Sequence, residues 1–105
     1  MVNLKKDILD SLKLYHKGER SPIYSAEFER RFGIPGTKVR DIIRDLRRDG
    51  YPIGNCSKGY YYCQSRKELD ALIDDLKGRA LSMLKTVSML EKNREKPGYR
   101  QLSLF

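Results

Sequence analysis

Basic side chains concentrate between residues 38 and 48, at a spacing suited to binding phosphate groups. Arg40, Arg44 and Arg48 recur at i, i+4 and i+8, so a helix places them along one side. Lys38 and Arg47 add to the same stretch. A neighbouring row of carboxylates, close enough to pair with these arginines, consists of Asp41, Asp45 and Asp49. Two interpretations stay open: a helix that faces DNA, or a solvated helix face held by its own ion pairs.

The charge balance narrows the choice of partner. The 105 residues carry 22 Lys and Arg against 14 Asp and Glu, a formal charge of +8 and a pI near 9.6. Such an excess favours a polyanionic partner, most often nucleic acid. The chain has no apolar run of about 18 residues and no secretory signal, so we expect no membrane partner and a cytoplasmic location.

Residues suited to catalysis or metal binding are few. The single histidine, His16, has no predicted partner, and Cys56 and Cys63 do not have the spacing of a zinc site. We see no phosphate-binding loop and no nucleophile paired with a base. We therefore expect no enzymatic activity, no metal and no cofactor, with free thiols that lie near each other across a hairpin.

Apolar spacing predicts three short helices that position the basic stretch. Helix one covers residues 3–17, with Leu4, Ile8, Leu12 and Tyr15 on one face and Leu9 beside them. After a short extended link, helix two runs from a Ser25 cap to about residue 31, with apolar contacts from Ala26, Phe28 and Phe32. Helix three covers about 37–49. Its buried stripe is predicted to be Val39, Ile42, Ile43 and Leu46.

The stretch from Tyr51 to Cys63 predicts a β-hairpin, because turn-forming residues separate two strand-like ends. Alternation sends Tyr60 and Tyr62 to one face of the hairpin and Tyr61 to the other. The predicted fold class is therefore mainly α with a small β-hairpin, α+β, followed by a long C-terminal helix.

Ser65 and Glu68 form a capping box that begins this long helix, predicted for residues 66–95. Its apolar residues follow the alternating spacing of four and three that is typical of a coiled coil. Packing along helix one can cover its first half, and a second copy of the helix is the simplest cover for the rest. The predicted dimerisation residues are Leu76, Ala80, Met83, Val87 and Leu90.

The order helix, helix, turn, helix, hairpin resembles a winged helix-turn-helix domain. The segments Phe32-Gly33-Ile34, Gly50-Tyr51-Pro52-Ile53 and Lys58-Gly59-Tyr60 are most similar to the winged-helix modules of bacterial regulators of the biotin-repressor type. The resemblance implies that helix three enters the major groove of double-stranded DNA while the hairpin contacts the neighbouring backbone or minor groove. The predicted DNA-binding residues are Thr37, Lys38, Arg40, Asp41, Arg44, Arg48, Lys58 and Tyr61.

The segment Gln101-Leu102-Ser103-Leu104-Phe105 resembles the short motif by which bacterial replication and repair proteins dock on the DNA sliding clamp. The resemblance implies that Leu102, Leu104 and Phe105 enter an apolar pocket, with Gln101 bonded at its rim. Pro97-Gly98 stops the preceding helix and makes a joint. The alternative is an apolar segment that folds back onto its own domain.

These observations divide the chain into residues 1–64, a DNA-binding domain, residues 65–96, the long helix, and residues 97–105, a tail with the clamp-binding peptide. The predicted function is a DNA-binding protein that docks on the sliding clamp and acts in or on DNA replication, of bacterial or bacteriophage origin. One alternative is a dimeric winged-helix transcriptional regulator. The other is a clamp-binding adapter or inhibitor that does not bind DNA.

Overall fold

The structure, a computed structural model, describes residues 3–96 and is mainly helical with one small hairpin. The elements in chain order are α1 (Leu4–Tyr15), α2 (Ser25–Phe32), α3 (Gly36–Arg48), β1 (Ile53–Cys56), β2 (Gly59–Tyr62) and α4 (Arg66–Asn93). The chain forms two units, one reaching to Leu72 and a second beginning at Ile73, within α4. The first unit thus extends past the predicted boundary at residue 64.

The core of the first unit lies among α1, α2, α3 and the start of β1. Leu12, Phe28, Val39 and Ile53 are fully buried there. The predicted stripe of α3 is confirmed, since all four of its residues are buried. Because burial of one large apolar side chain contributes roughly 1.5–3 kcal/mol, these contacts fix which face of α3 remains in water.

The predicted hairpin is confirmed as an antiparallel pair with Ile53 opposite Tyr62 and Cys56 opposite Gly59. Its outer edge pairs with the segment between α1 and α2, a contact that the sequence did not predict. The N–H of Ile23 donates to the carbonyl of Tyr60 and the N–H of Tyr60 to the carbonyl of Ile23, both at 2.8 Å. Gly18 and Tyr62 make a further backbone bond at 2.8 Å. The outer edge of β2 therefore attaches the hairpin to the segment that follows α1.

Gly59 is required where the hairpin passes this segment. Its φ is +116°, and a Cβ atom at this position would overlap the carbonyl oxygen of Ile23. L side chains rarely adopt such a conformation, and no side chain fits in the space. The close approach of β2 to Ile23 therefore depends on glycine.

Three predictions about helix ends and faces are wrong. Tyr15 is 70% exposed, because α1 ends there and the core side of the helix stops at Leu12. Ala26 is exposed as well, so Phe28 and Phe32 make the apolar contacts of α2. Ser25 is the first residue of α2 and not its cap; its hydroxyl donates to the Glu29 carboxylate at 3.1 Å. Tyr24, in extended conformation, takes the cap position, so α2 begins one residue earlier than a Ser25 cap requires.

The capping box of α4 is confirmed on its serine side. The Ser65 hydroxyl accepts from the N–H of Glu68 at 3.1 Å. The Glu68 carboxylate accepts from the N–H of Gln64 and from the N–H of Glu19, each at 2.9 Å. The same carboxylate therefore holds the residue before the Ser65 cap and attaches α4 to the turn after α1. At 1.5 Å per residue, the 28 residues of α4 span about 42 Å.

Candidate nucleic-acid interface

The exposed face of α3 is set by its buried stripe. Thr37, Asp41, Arg44 and Arg48 follow one another at helical spacing on the side opposite that stripe, and all four are exposed. Lys38 and Arg40 lie on the two flanks of the same face and are exposed too. The structure therefore brings six of the eight predicted DNA-binding residues together on one helix face.

Ion pairing across this face is partial. Arg44 Nη2 lies 2.8 Å from Asp41 Oδ1, which confirms one of the predicted arginine–aspartate pairs. Asp49 instead pairs with Lys5 of α1 at 2.6 Å. This hydrogen bond raises the pKa of Lys5 and joins the end of α3 to α1. Within residues 3–96, Lys38, Arg40 and Arg48 form no ion pair, so their charges face solvent unneutralised.

Arg47 has a different role from the other arginines of α3. Its Nε donates to the carbonyl oxygen of Ile53 at 2.6 Å, and its Nη2 donates to Oδ1 of Asn55 at 3.2 Å. Both acceptors belong to β1. Arg47 therefore attaches the hairpin to α3, a role that helix spacing alone did not reveal.

The hairpin contributes one of its two predicted DNA-binding residues to the surface. Lys58 lies exposed in the two-residue turn between β1 and β2. Tyr61 is only 8% exposed and packs with Cys63 and Leu72. This burial corrects the prediction for Tyr61, because its ring is covered by the first turns of α4. Burial also raises the pKa of its phenol.

Sequence reasoning missed Tyr24 as a surface residue. It precedes α2, is 55% exposed, and its Cα lies beside Gly59 of the hairpin. A tyrosine hydroxyl can donate to a phosphate oxygen, so Tyr24 extends the candidate interface next to Lys58. The only sequence signal for it is a tyrosine in an extended link before a helix. Helical periodicity does not predict whether such a residue is exposed.

The chain has two cysteines, Cys56 and Cys63. Both are free thiols. They share one apolar cluster with Tyr61 and Leu72, yet Cys56 lies opposite Gly59 while Cys63 bonds to Pro52. The two thiols are therefore offset along the hairpin but belong to the same cluster, in line with the expectation of free thiols near each other. Burial raises the pKa of the Cys63 thiol and keeps it protonated.

The predicted dimerisation residues lie exposed along α4. The predicted clamp-binding residues, 101–105, lie outside the residues that the structure describes, as does Pro97-Gly98. In the described range, no helix is long and apolar enough to cross a membrane. No family model, curated protein or solved structure matches this chain.

Proposed function

We propose that the chain binds double-stranded DNA through α3 and the hairpin, in the manner of a winged helix-turn-helix domain. The observation that carries the proposal is the exposed face of α3, where Lys38, Arg40 and Arg48 have no ion pair within residues 3–96. None of these three charges is buried, and none is paired within residues 3–96, so they form a row of donors for phosphate oxygens. DNA is the polyanion that a single basic helix fits best.

The dimensions of α3 support entry into the major groove. Its 13 residues span about 20 Å, and the groove of B-DNA, about 12 Å wide, admits one helix. Arg44 is oriented by its bond to Asp41, so it is the best-placed side chain for a base edge. Arg40 and Lys38, on the two flanks of this face, suit the two phosphate backbones.

The hairpin supports the winged part of the proposal. Lys58 and Tyr24 offer one charge and one hydroxyl at its tip and beside it. Because Arg47 holds β1 against α3, the tip has a fixed distance from the helix, as simultaneous contact with groove and backbone requires.

A binding isotherm tests this half of the proposal. Fluorescence anisotropy with a labelled duplex of random sequence should show a dissociation constant of about 10⁻⁴ to 10⁻⁶ M at physiological salt, the range of non-specific binding. Selection from a random pool then asks for a preferred site. A strong palindromic preference favours the transcriptional regulator, and no DNA binding at all contradicts the proposal.

The second half of the proposal is docking on the bacterial sliding clamp through residues 101–105. Its support is the sequence alone: all five positions match the clamp-binding pattern. One peptide of this size binds at about micromolar level, and two peptides on one dimer gain about 10²- to 10⁴-fold if both reach a pocket. The protein would then connect a DNA site to the replication machinery or compete with other clamp ligands.

Purified clamp separates the remaining alternatives. The full chain is compared with Leu104→Ala/Phe105→Ala and, as a matched control, with Leu14→Ala/Tyr15→Ala, two exposed apolar residues of α1 outside the proposed interfaces. Binding that the first variant loses and the control keeps supports clamp docking. Clamp binding without DNA binding identifies the adapter or inhibitor, whereas failure of all three chains refutes the clamp half and leaves the DNA half standing.

A further inference from the structure

The second half of α4 carries an apolar stripe that nothing in the described chain covers. After Leu72, none of its apolar residues is buried; Met83 is 70% exposed and Leu84 62%. The stripe continues through Ala80, Val87 and Leu90. A single chain thus leaves a contiguous helix face in water, which in proteins marks an interaction surface.

The sizes of the core residues point to the orientation of a partner helix. In a parallel pair of identical helices each core residue meets its own copy, so Ala80 meets Ala80 and leaves a gap at that layer. In an antiparallel pair centred on residue 85, Ala80 lies opposite Leu90 of the second copy, and Met83 lies opposite Val87. Small residues then meet larger ones at each end of the overlap, as good packing requires.

The charged residues beside the stripe also favour the antiparallel orientation. In the antiparallel pair centred on residue 85, Lys77 of each copy lies beside Glu91 of the other, and the two Leu84 side chains meet at the centre. Moving the centre of the pair half a heptad toward the N-terminus places Asp70 of one copy beside Glu91 of the other. Moving it a full heptad places Lys77 beside Lys77 of the other copy. Both shifts bring like charges together. The parallel pair brings no opposite charges together at these flanking positions.

We infer that α4 pairs with α4 of a second copy of this chain in antiparallel orientation, centred on Lys85, with Lys77 and Glu91 forming two ion pairs between copies. The overlap spans about residues 77–93. It covers Met83, Leu84, Val87 and Leu90 of the stripe and leaves the less exposed Ile73 and Leu76 outside. The two-fold axis crosses the helices at Lys85, so the first turns of the two α4 helices point away from each other.

Single cysteines distinguish the orientations. On a Cys56→Ser/Cys63→Ala background, mild oxidation should cross-link Leu84→Cys, because the two copies meet at this position. Leu90→Cys should stay uncross-linked, since its copies lie about 15 Å apart along the axis, beyond disulfide reach. The reverse result, Leu90→Cys cross-linked and Leu84→Cys not, means a parallel pair and overturns the inference.

Charge exchange tests the register on the otherwise native chain. Sedimentation equilibrium should show Glu91→Lys weakening the dimer about tenfold, and Lys77→Glu/Glu91→Lys restoring it to within about threefold. A lysine in the last turn favours the helix, so weakening by Glu91→Lys is not helix loss. Asp74→Lys, the same charge change outside the overlap, is the control. A native monomer at about 100 µM, or no rescue by the double exchange, overturns the inference; neither outcome depends on DNA.

Discussion

Arg47 Nε donates to the carbonyl oxygen of Ile53 at 2.6 Å, so one side chain joins the last turn of α3 to the first residue of β1. Ile53 is fully buried, and its carbonyl accepts this bond at the edge of the core. The contact matters for function because α3 and the hairpin carry the two halves of the proposed interface. Its geometry is short and charge-assisted, the kind that contributes most to stability.

Replacing this arginine should cost stability. We expect Arg47→Ala to lower the free energy of unfolding by about 1.5–3 kcal/mol, because it removes a charged donor from a backbone acceptor. Urea unfolding followed by circular dichroism measures the loss. Arg48→Ala is the matched control, an exposed neighbour expected to change stability by about 0.5 kcal/mol or less. Equal effects of the two substitutions would contradict the role assigned to Arg47.

A methyl group at Gly59 should separate the hairpin from the segment around Ile23. Gly59→Ala combines a backbone conformation that disfavours L residues with overlap on the Ile23 carbonyl, so we expect a loss of about 3 kcal/mol or more. Gly50→Ala is the control, since its φ is +100° but no atom lies within 4 Å of the added Cβ. It should cost only about 1–2 kcal/mol. Thermal unfolding that ranks the two equally argues against the close approach of Gly59 to Ile23.

Stability should fall in alkaline solution. Burial raises the pKa of the Cys63 thiol and of the Tyr61 phenol. Between the ordinary and the raised pKa, the unfolded chain has lost a proton that the folded chain keeps. The contribution of these two groups to the unfolding free energy is therefore constant below about pH 8, where an ordinary thiol is protonated, and decreases as pH rises through the raised pKa values.

Urea midpoints at about pH 7 and about pH 10 check this pH dependence, since the two lie on either side of an ordinary thiol pKa. Cys63→Ala should show a smaller decrease between them than the native chain, because one of the two groups is gone. Midpoints of the native chain that rise or stay level toward alkaline pH would show that neither group titrates as its burial requires.

The helices of the first unit were largely predictable from the sequence, because each is specified by its own apolar spacing. The stripe of α3 needs only local periodicity, and Val39 and Leu46 behave as that periodicity requires. The exposed positions of α3 followed from the same pattern. The hairpin followed from its concentration of turn residues between Ile53 and Tyr60.

Contacts between distant segments were not predictable in this way. The pairing of Ile23 with Tyr60 joins residues far apart in the sequence, and neither residue has a pattern that specifies the other. Alternation correctly separated Tyr61 from Tyr60, but it did not say which face is covered. Leu72 of α4 covers the face that carries Tyr61, and this tertiary contact removes Tyr61 from the candidate site.

The salt dependence of DNA binding tests the central claim most directly. The chain is titrated with one duplex at several salt concentrations, beside Arg40→Ala/Arg44→Ala/Arg48→Ala. The control Lys6→Ala/Lys67→Ala/Arg94→Ala removes the same charge from exposed positions outside α3 and outside the proposed dimer overlap. We predict that the α3 variant loses about two to three units of the slope of log K against log salt, while the control loses less than about one. Equal slopes for the two variants would show that binding follows net charge alone and would contradict an interface on α3.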